Sequence, residues 1–528
     1  MNSIITYRNK MKKISIIPQP SSIKIKPGYI YLKKLKGIMI IENSERLVKI
    51  ANIFKKFLYP ISNLEVLPWD KNSDKYLKII IRNNNIKENG YNLTIDAESG
   101  IVLEASTEKG LYYGFQTFRQ LAPVELEKKE SSNTIKIRNC SIEDFPKFQY
   151  RGMHLDVSRH FFDIDFIKTY IDMIALHKMN FFHWHLTDDN GWRIEIEQYP
   201  DLSKKSAYRV DRERQPWRDW APILPGEKPT YGGFYSKDEI KEVVQYASER
   251  YVTIIPEIEM PAHTSAVFAA YPEFSCKGKR LNVVPGSYWP TIDIFCAGND
   301  SVFSFLENIL TEIIELFPGE YIHIGGDEAD KTFWKTCKKC QRRINEENLK
   351  NEEELQSYFI KRIEKFILKK NKKLVGWDEI LEGGLAPSAT VMSWRGTKGG
   401  VEAAKAGHNV IMCPTSHCYF DYYQTEKDET NKTAFDGYIP LEKVYSFNPV
   451  PKELSNKEAK HILGGQGNLW TEFVKTPERA QYRVLPRMTA LSEVLWTGSN
   501  TNSYKNFFRR LQYLEKRFKI LNWNHAPI

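Results

Sequence analysis

Apolar and polar positions follow two different rhythms along this chain, and the change falls near residue 147. Before it, short β-rich runs, Tyr76 to Ile81, Tyr91 to Ile95 and Ile101 to Ala105, predict strands. Glu108 to Leu121 has helical spacing, and a charged, Ser-containing connection from Glu125 to Asn133 leads to one more strand, Ile135 to Arg138. These pieces predict a small α+β unit that ends at Asp144-Phe145-Pro146. After it, apolar runs alternate with amphipathic stretches, the mark of parallel βα units. Eight strands are predicted, at 150–157, 180–186, 252–258, 321–325, 373–377, 390–394, 409–413 and 461–469. Helices are predicted between them at 166–178, 237–250, 302–317 and 353–370, with apolar residues recurring at three and four.

Eight such units predict an α/β chain whose (β/α)8 TIM barrel is preceded by the small α+β domain. The expected division is 1–146 for the N-terminal domain, 147–500 for the barrel, and 501–528 for a C-terminal helical extension packed on the barrel. Asp201 to Tyr235, rich in Pro, Trp and Arg and carrying Trp217-Arg218-Asp219-Trp220, reads as an insertion, either a rim loop or a surface excursion.

Composition narrows the function classes. Of 528 residues, 41% are hydrophobic and 13% aromatic, enough for at least one large core. Lys and Arg exceed Asp and Glu by 76 − 66 = 10, but acids are interleaved with the bases, so no nucleic-acid surface is expected. No run approaches the ~18–20 apolar residues of a membrane span. Ile14 to Ile17 after Lys12-Lys13 is too short for a signal-peptide core, so the expected location is cytoplasmic, or periplasmic or secreted where a signal was trimmed. Seven cysteines, an odd number, exclude a complete disulfide framework. Cys337-x-x-Cys340 reads as half a zinc site or a redox pair, but Cys413 and Cys418 have the wrong spacing for a second knuckle, and a structural role is expected. The oligomeric state is open.

The most informative stretch is Tyr321-Ile322-His323-Ile324-Gly325-Gly326-Asp327-Glu328, where a buried strand ends in two glycines and two adjacent acids. Gly325 and Gly326 are expected to let a ligand approach the backbone. Side by side, two carboxylates repel, and partial burial raises the pKa of at least one. A barrel's site forms where its strands finish, and the other runs also end in polar or aromatic residues. These are Asp156 and Arg159; His183, His185, Asp188 and Asp189; Glu257, Glu259 and His263; Trp377-Asp378-Glu379; Trp394-Arg395; Tyr419-Phe420-Asp421; and Trp470-Thr471-Glu472. Tryptophans with hydrogen-bonding carboxylates suit a pyranose, whose faces are apolar and whose edges are hydroxyls.

His323-Ile324-Gly325-Gly326-Asp327-Glu328 resembles the signature of the β-N-acetylhexosaminidases of glycoside hydrolase family 20. So do the segments 151–159, 183–193, 256–263, 376–379, 393–396 and 469–472, while 16–20 and 109–117 resemble that family's small α+β domain. One departure is Ala262, where the family usually has Gly. The resemblance implies a retaining, exo-acting enzyme that releases terminal non-reducing N-acetylglucosamine or N-acetylgalactosamine from a glycan or chitooligosaccharide. It implies no cofactor and no metal. The substrate's own 2-acetamido oxygen is the nucleophile, and an oxazolinium is the intermediate.

By the same resemblance Glu328 is the acid and base, as a carboxyl of raised pKa, and Asp327 holds the acetamido N–H and steadies the positive charge. Tyr419 donates to the acetamido oxygen, and His263 with Asp188 forms a relay that tunes Glu328. Arg159 and Glu472 meet hydroxyls of the terminal sugar, Trp377, Trp394 and Trp470 wall it, and Asp421 supports the pocket. Two other readings are carried: a metal-dependent barrel hydrolase on His183-Trp184-His185 with His263 and Asp327, and a non-catalytic sugar-binding barrel.

Overall fold

Eight parallel strands close into a barrel within residues 148–491. The structure, a computed structural model, describes residues 14–41, 44–70, 73–82, 85–128, 135–217, 220–286, 292–425, 434–435, 437–499 and 503–528. The barrel strands are Tyr150–Asp156, Phe181–His185, Thr253–Glu257, Tyr321–His323, Lys373–Trp377, Thr390–Ser393, Val410–Met412 and Ile462–Gly467, within a residue or two of the predicted runs at most ends. Pairing is parallel throughout and returns from the eighth strand to the first, Gly464 opposite Tyr150. The intervening helices start where their caps dictate. Ser236 and Glu239 form a reciprocal capping box for Lys237–Ser248, and the Asp163, Asn299 and Asn351 side chains each accept a backbone N–H at a helix start.

The second strand shows how the sequence divides inside from outside. Phe182 packs 5.7 Å from Tyr170 of the helix Ile164–Leu176, and Trp184 lies 4.7 Å from Tyr235, so these rings face the outer layer. His183 and His185, one residue out of phase, face the barrel interior and meet Glu257 of the third strand. Barrel interiors are commonly filled by branched apolar residues, whereas this one holds His154, His183, His185, His323 and Glu257, all fully buried.

Residues 1–147 and 492–528 form the other unit. Its seven-stranded sheet has the order 22–31, 136–144, 91–96, 100–105, 76–81, 38–40, 66–68. The helices Glu45–Leu58 and Glu108–Leu121 pack together through Phe54 and Phe115, whose ring centroids are 4.9 Å apart. The C-terminal helix Tyr504–Ile520 belongs to this unit too. The reason is electrostatic: its buried Arg510 pairs with Glu493 at 2.5 Å and donates to the Ile16 carbonyl, and its buried Arg517 pairs with Glu127. Of the earlier landmarks, Lys12-Lys13, residues 129–133 of the connection, and Arg218-Asp219 of the insertion lie outside the described residues. Trp217 of that insertion is buried, with Arg209 5.4 Å from its ring centroid and the His160 ring 5.3 Å away. No described helix is long and apolar enough to cross a membrane.

Candidate active site

The ends of the barrel strands are tied to one another by carboxylates. Asp156, closing the first strand, accepts from the Ser158 and Arg159 backbone and from the Thr471 N–H and hydroxyl beyond the eighth. Asp378 after the fifth strand accepts from the Trp394 N–H after the sixth, and Glu379 takes the Trp394 indole N–H at 2.9 Å. Asp188 sits in the small hairpin formed by Thr187–Asp188 and Gly191–Trp192. It is bonded to His185 at 2.9 Å, to Arg159 at 2.9 Å and to His263 at 3.2 Å. Three ends of the barrel are thereby coupled through one side chain.

Beneath these groups lies Glu257. It accepts from His185 Nδ1 at 2.5 Å and from the Trp377 indole at 2.8 Å, with His183 Nε2 at 3.0 Å and His323 Nδ1 at 2.9 Å beside it. Although burial raises its pKa, the surrounding imidazoles His323, His185 and His183 outweigh that and hold Glu257 well below the usual carboxylate range. His185 is correspondingly raised to about 10, since Glu257 and Asp188 outweigh its burial. Sequence reasoning named Glu257 at its strand end but assigned it no role. The signal was its register: Glu257 lies opposite both His185 and His323 on the neighbouring strands.

Asp327 and Glu328 follow the fourth strand in different environments. Asp327 is buried, and burial, with the Glu328 and Glu257 carboxylates adding to it, raises its pKa to about 7. Glu328 keeps 35% of its side chain exposed, with Oε2 3.4 Å from His263 Nε2. Burial raises its pKa, but the His263 contact and charge, with Arg159, more than offset this and leave it lowered. The raised group is therefore Asp327, not the Glu328 that sequence reasoning named. His263 is the cause of the split: Asp188 and Asp327 overcome its burial and hold it well above an ordinary imidazole, as a cation.

The backbone here is unusual. Glu328 has φ 47° and His263 φ 53°, left-handed values that L side chains adopt at a cost of roughly 1–2 kcal/mol. Gly325 also has positive φ, 65°, and a Cβ there would stand 1.7 Å from Glu259 Oε2. Gly326, φ 93°, is likewise closed off by Ile380. The two glycines make room for Glu259 and Ile380.

Arg159 lies 3.3 Å from Asp156 and 3.9 Å from Glu472, its guanidinium 5.1 Å from the centroid of the Trp470 ring. Tyr419 stacks near Trp394, centroids 6.0 Å apart and planes at 25°, and burial holds its phenol well above the usual value, as a neutral donor. Trp394 and Trp470 keep partly exposed surface, whereas Trp377 is 1% exposed and underlies Trp470, with centroids 5.8 Å apart. Asp421 is buried and its pKa is raised to about 8 by burial, with Glu472 adding to the shift. Glu472 is raised to about 7, again by burial, against the pull of Arg159.

Several of these groups are orphaned. Among the described residues, both Asp421 carboxylate oxygens, Glu472 Oε2, Asp327 Oδ1 and His263 Nε2 are buried without a hydrogen-bond partner. Buried polar atoms are nearly always paired, so a cluster of unpaired ones at one end of a barrel marks a place prepared for a polar ligand. The metallohydrolase alternative does not assemble. His183 and His185 turn to Glu257 while His263 turns to Asp188, Asp327 and Glu328, and the four residues of that reading form no single donor set among the described residues.

Comparison with known proteins gives the same picture. Residues 148–499 match the model for glycosyl hydrolase family 20, catalytic domain, and residues 13–145 match that for glycosyl hydrolase family 20, domain 2. A beta-hexosaminidase of Porphyromonas gingivalis is 46% identical over 450 residues, which are 84% of this chain but only 55% of that relative. One from Vibrio furnissii is 33% identical over 483 residues, 91% of this chain and 76% of the relative. The crystal structure of a beta-N-acetylhexosaminidase from Bacteroides fragilis has a TM-score of 0.82 at 30% identity, covering 98% of this chain and 97% of that one. A mutant Streptomyces plicatus beta-hexosaminidase in complex with product (GlcNAc) has a TM-score of 0.82 at 27% identity, covering 97% of this chain and 96% of that one. The chain belongs to glycosyl hydrolase family 20.

Proposed function

We propose that the protein is a retaining, exo-acting β-N-acetylhexosaminidase that works by substrate assistance. The observation that carries this reading is the split between adjacent acids: Asp327 buried and raised to about 7, Glu328 half-exposed and lowered by His263. In the free protein the proton shared by the pair rests on Asp327. A 2-acetamido N–H donated to Asp327 favours its carboxylate form, and the proton is then carried by Glu328, which faces the leaving oxygen. Glu328 protonates that oxygen as the acetamido carbonyl oxygen attacks the anomeric carbon, and Asp327 balances the positive oxazolinium. Glu328, now a carboxylate, then takes a proton from water, which opens the ring and returns the β-configured sugar. Tyr419 supplies an O–H to the acetamido oxygen, and burial keeps it neutral for that task.

The orphaned oxygens of Asp421 and Glu472, with Arg159, supply acceptors and a donor for ring hydroxyls, which favours a terminal sugar. Trp394 and Trp470 wall the ring, and Trp377 supports Trp470 from below. The N-acetylglucosamine held by the Streptomyces plicatus relative fits this reading. Aryl N-acetyl-β-glucosaminide and N-acetyl-β-galactosaminide are expected to be cleaved, and the 2-hydroxy glucoside at least ~10³-fold more slowly, because its internal nucleophile is gone. Comparable rates on the glucoside would remove substrate assistance, and no turnover of any of the three would leave a binding barrel.

A further inference from the structure

Four cysteines meet beside the catalytic loops, far apart in sequence. Cys276 and Cys296 belong to the long excursion after the third barrel strand, and Cys337 and Cys340 to the one after the fourth. Their Sγ atoms are 3.7 Å apart for Cys276–Cys340, Cys296–Cys337 and Cys296–Cys340, and all four lie within 4.8 Å of one another. A metal bound to four thiolates at ~2.3 Å in a tetrahedron sets the sulfurs ~3.8 Å apart. A disulfide needs ~2.05 Å and one partner per sulfur. Cys296 and Cys340 each have two sulfur neighbours at 3.7 Å, far beyond S–S bond length, and all four cysteines are free thiols.

The backbone holds this arrangement from both sides. An antiparallel bridge between Ser275 and Phe295 ties together the two segments that carry Cys276 and Cys296, and the Cys296 N–H donates to the Phe274 carbonyl at 2.9 Å. The Trp334 indole donates to the Phe295 carbonyl at 2.9 Å, fastening the second excursion to the first. Gly298, two residues after Cys296, rests on the Lys339–Cys340 peptide so closely that a Cβ would fall 2.1 Å from the Lys339 carbonyl carbon. Cys340 stands in the first turn of the helix Lys338–Glu346, which fixes the direction of its side chain. Lys277, Lys279, Lys335, Lys338 and Lys339 adjoin these cysteines in sequence and offset the two net negative charges of a divalent ion with four thiolates.

We propose that Cys276, Cys296, Cys337 and Cys340 bind one zinc ion, a closed structural site that clamps the loop carrying His263 to the loop carrying Asp327 and Glu328. All four positions are filled by protein, so the ion has no vacancy for substrate and takes no part in the hydrolysis. The sequence alone shows only the Cys337-x-x-Cys340 half, because the other two ligands stand alone, and only the fold joins them to it.

The test uses the full chain, made in zinc-supplemented medium and dialysed to remove loose metal. Elemental analysis is expected to find about one zinc per chain, released when about four thiols have been titrated with a mercurial in the presence of a colorimetric zinc indicator. Cys337→Ser/Cys340→Ser is expected to lose the metal and to lower Tm by roughly 5 °C or more, while Cys413→Ser keeps it. Should the double variant fail to fold, cobalt reconstitution of the wild-type chain decides, because four thiolates give Co2+ intense charge-transfer bands. Wild-type protein with less than about 0.2 zinc per chain would overturn the proposal, whether the thiols prove free or joined as disulfides. Stoichiometric iron in place of zinc would overturn the choice of ion. None of these readings depends on hydrolytic activity.

Discussion

Asp327 and Glu328 are neighbours with the same functional group, and their different chemistry comes entirely from what each one touches. Glu328→Gln keeps the shape but removes the transferable proton. It is expected to lower kcat by roughly 10²- to 10⁴-fold for substrates with poor leaving groups, and by much less for activated aryl glycosides that need little acid assistance. Steady-state kinetics on a leaving-group series checks this, and an equal loss across the series would remove Glu328 from the acid role. The acids themselves were legible in the sequence, as an Asp-Glu pair at a strand end. Which of them is raised was not, because His263, the residue that divides them, arrives from another strand end. The packing of Glu259 beside Gly325 was hidden for the same reason: Glu259 is 66 positions away in the chain, since 325 − 259 = 66.

At the scale of elements, the eight strands were readable because each is a short apolar run followed by polar residues. What lines the barrel was harder to read, since one-residue alternation hides histidines between large outward rings, as in Phe182-His183-Trp184-His185. In the first unit the strand Ser22–Tyr31 escaped because the alternation Ile23-Lys24-Ile25-Lys26 is broken by Pro27-Gly28, where the pairing register also shifts. The helix Glu45–Leu58 is absent from the sequence expectation although Leu47, Ile50, Ala51, Phe54 and Leu58 carry its spacing.

The coupling of strand ends makes a pH prediction. Cationic His263 opposes the effect of burial on both Asp327 and Glu328, so His263→Gln is expected to raise both pKa values. The bell of kcat/KM against pH should then move as a whole to higher pH, with a lower maximum. A lower maximum with the bell unmoved would mean that His263 only holds the loop in place. Asp188→Asn removes one carboxylate that keeps His263 cationic but also one that raises Glu328, so it is expected to give a smaller net shift than His263→Gln.

For the whole molecule, the site is a source of instability. Asp421 has its pKa raised to about 8 when folded, against ~3.9 in an unfolded chain. Between those limits the folded protein retains a proton that the unfolded chain releases, so this group's contribution to stability declines as pH rises from about 4 to about 8. Asp421→Asn removes the titration, and its Tm advantage over wild type is expected to grow steadily from pH 5 to pH 8 while activity falls. Thermal scans across that range test it, and an offset independent of pH would show that Asp421 does not titrate as described. The assignment of the C-terminal helix was also a matter of the whole molecule. Its amphipathic pattern was legible, but its buried arginines find Glu127 and Glu493 only once distant segments have folded.

Glu257 draws imidazoles and an indole from three other strands onto one carboxylate beneath the site. On the proposed reading, proton handling is governed from the barrel floor, while the sugar is met by rim residues such as Trp394, Trp470 and Asp421. An engineer wishing to redirect this scaffold toward another glycan has freedom at the mouth and almost none below it. Libraries confined to the upper loops should preserve the hydrolytic step, whereas any change to the histidine stack would be felt at every catalytic group at once.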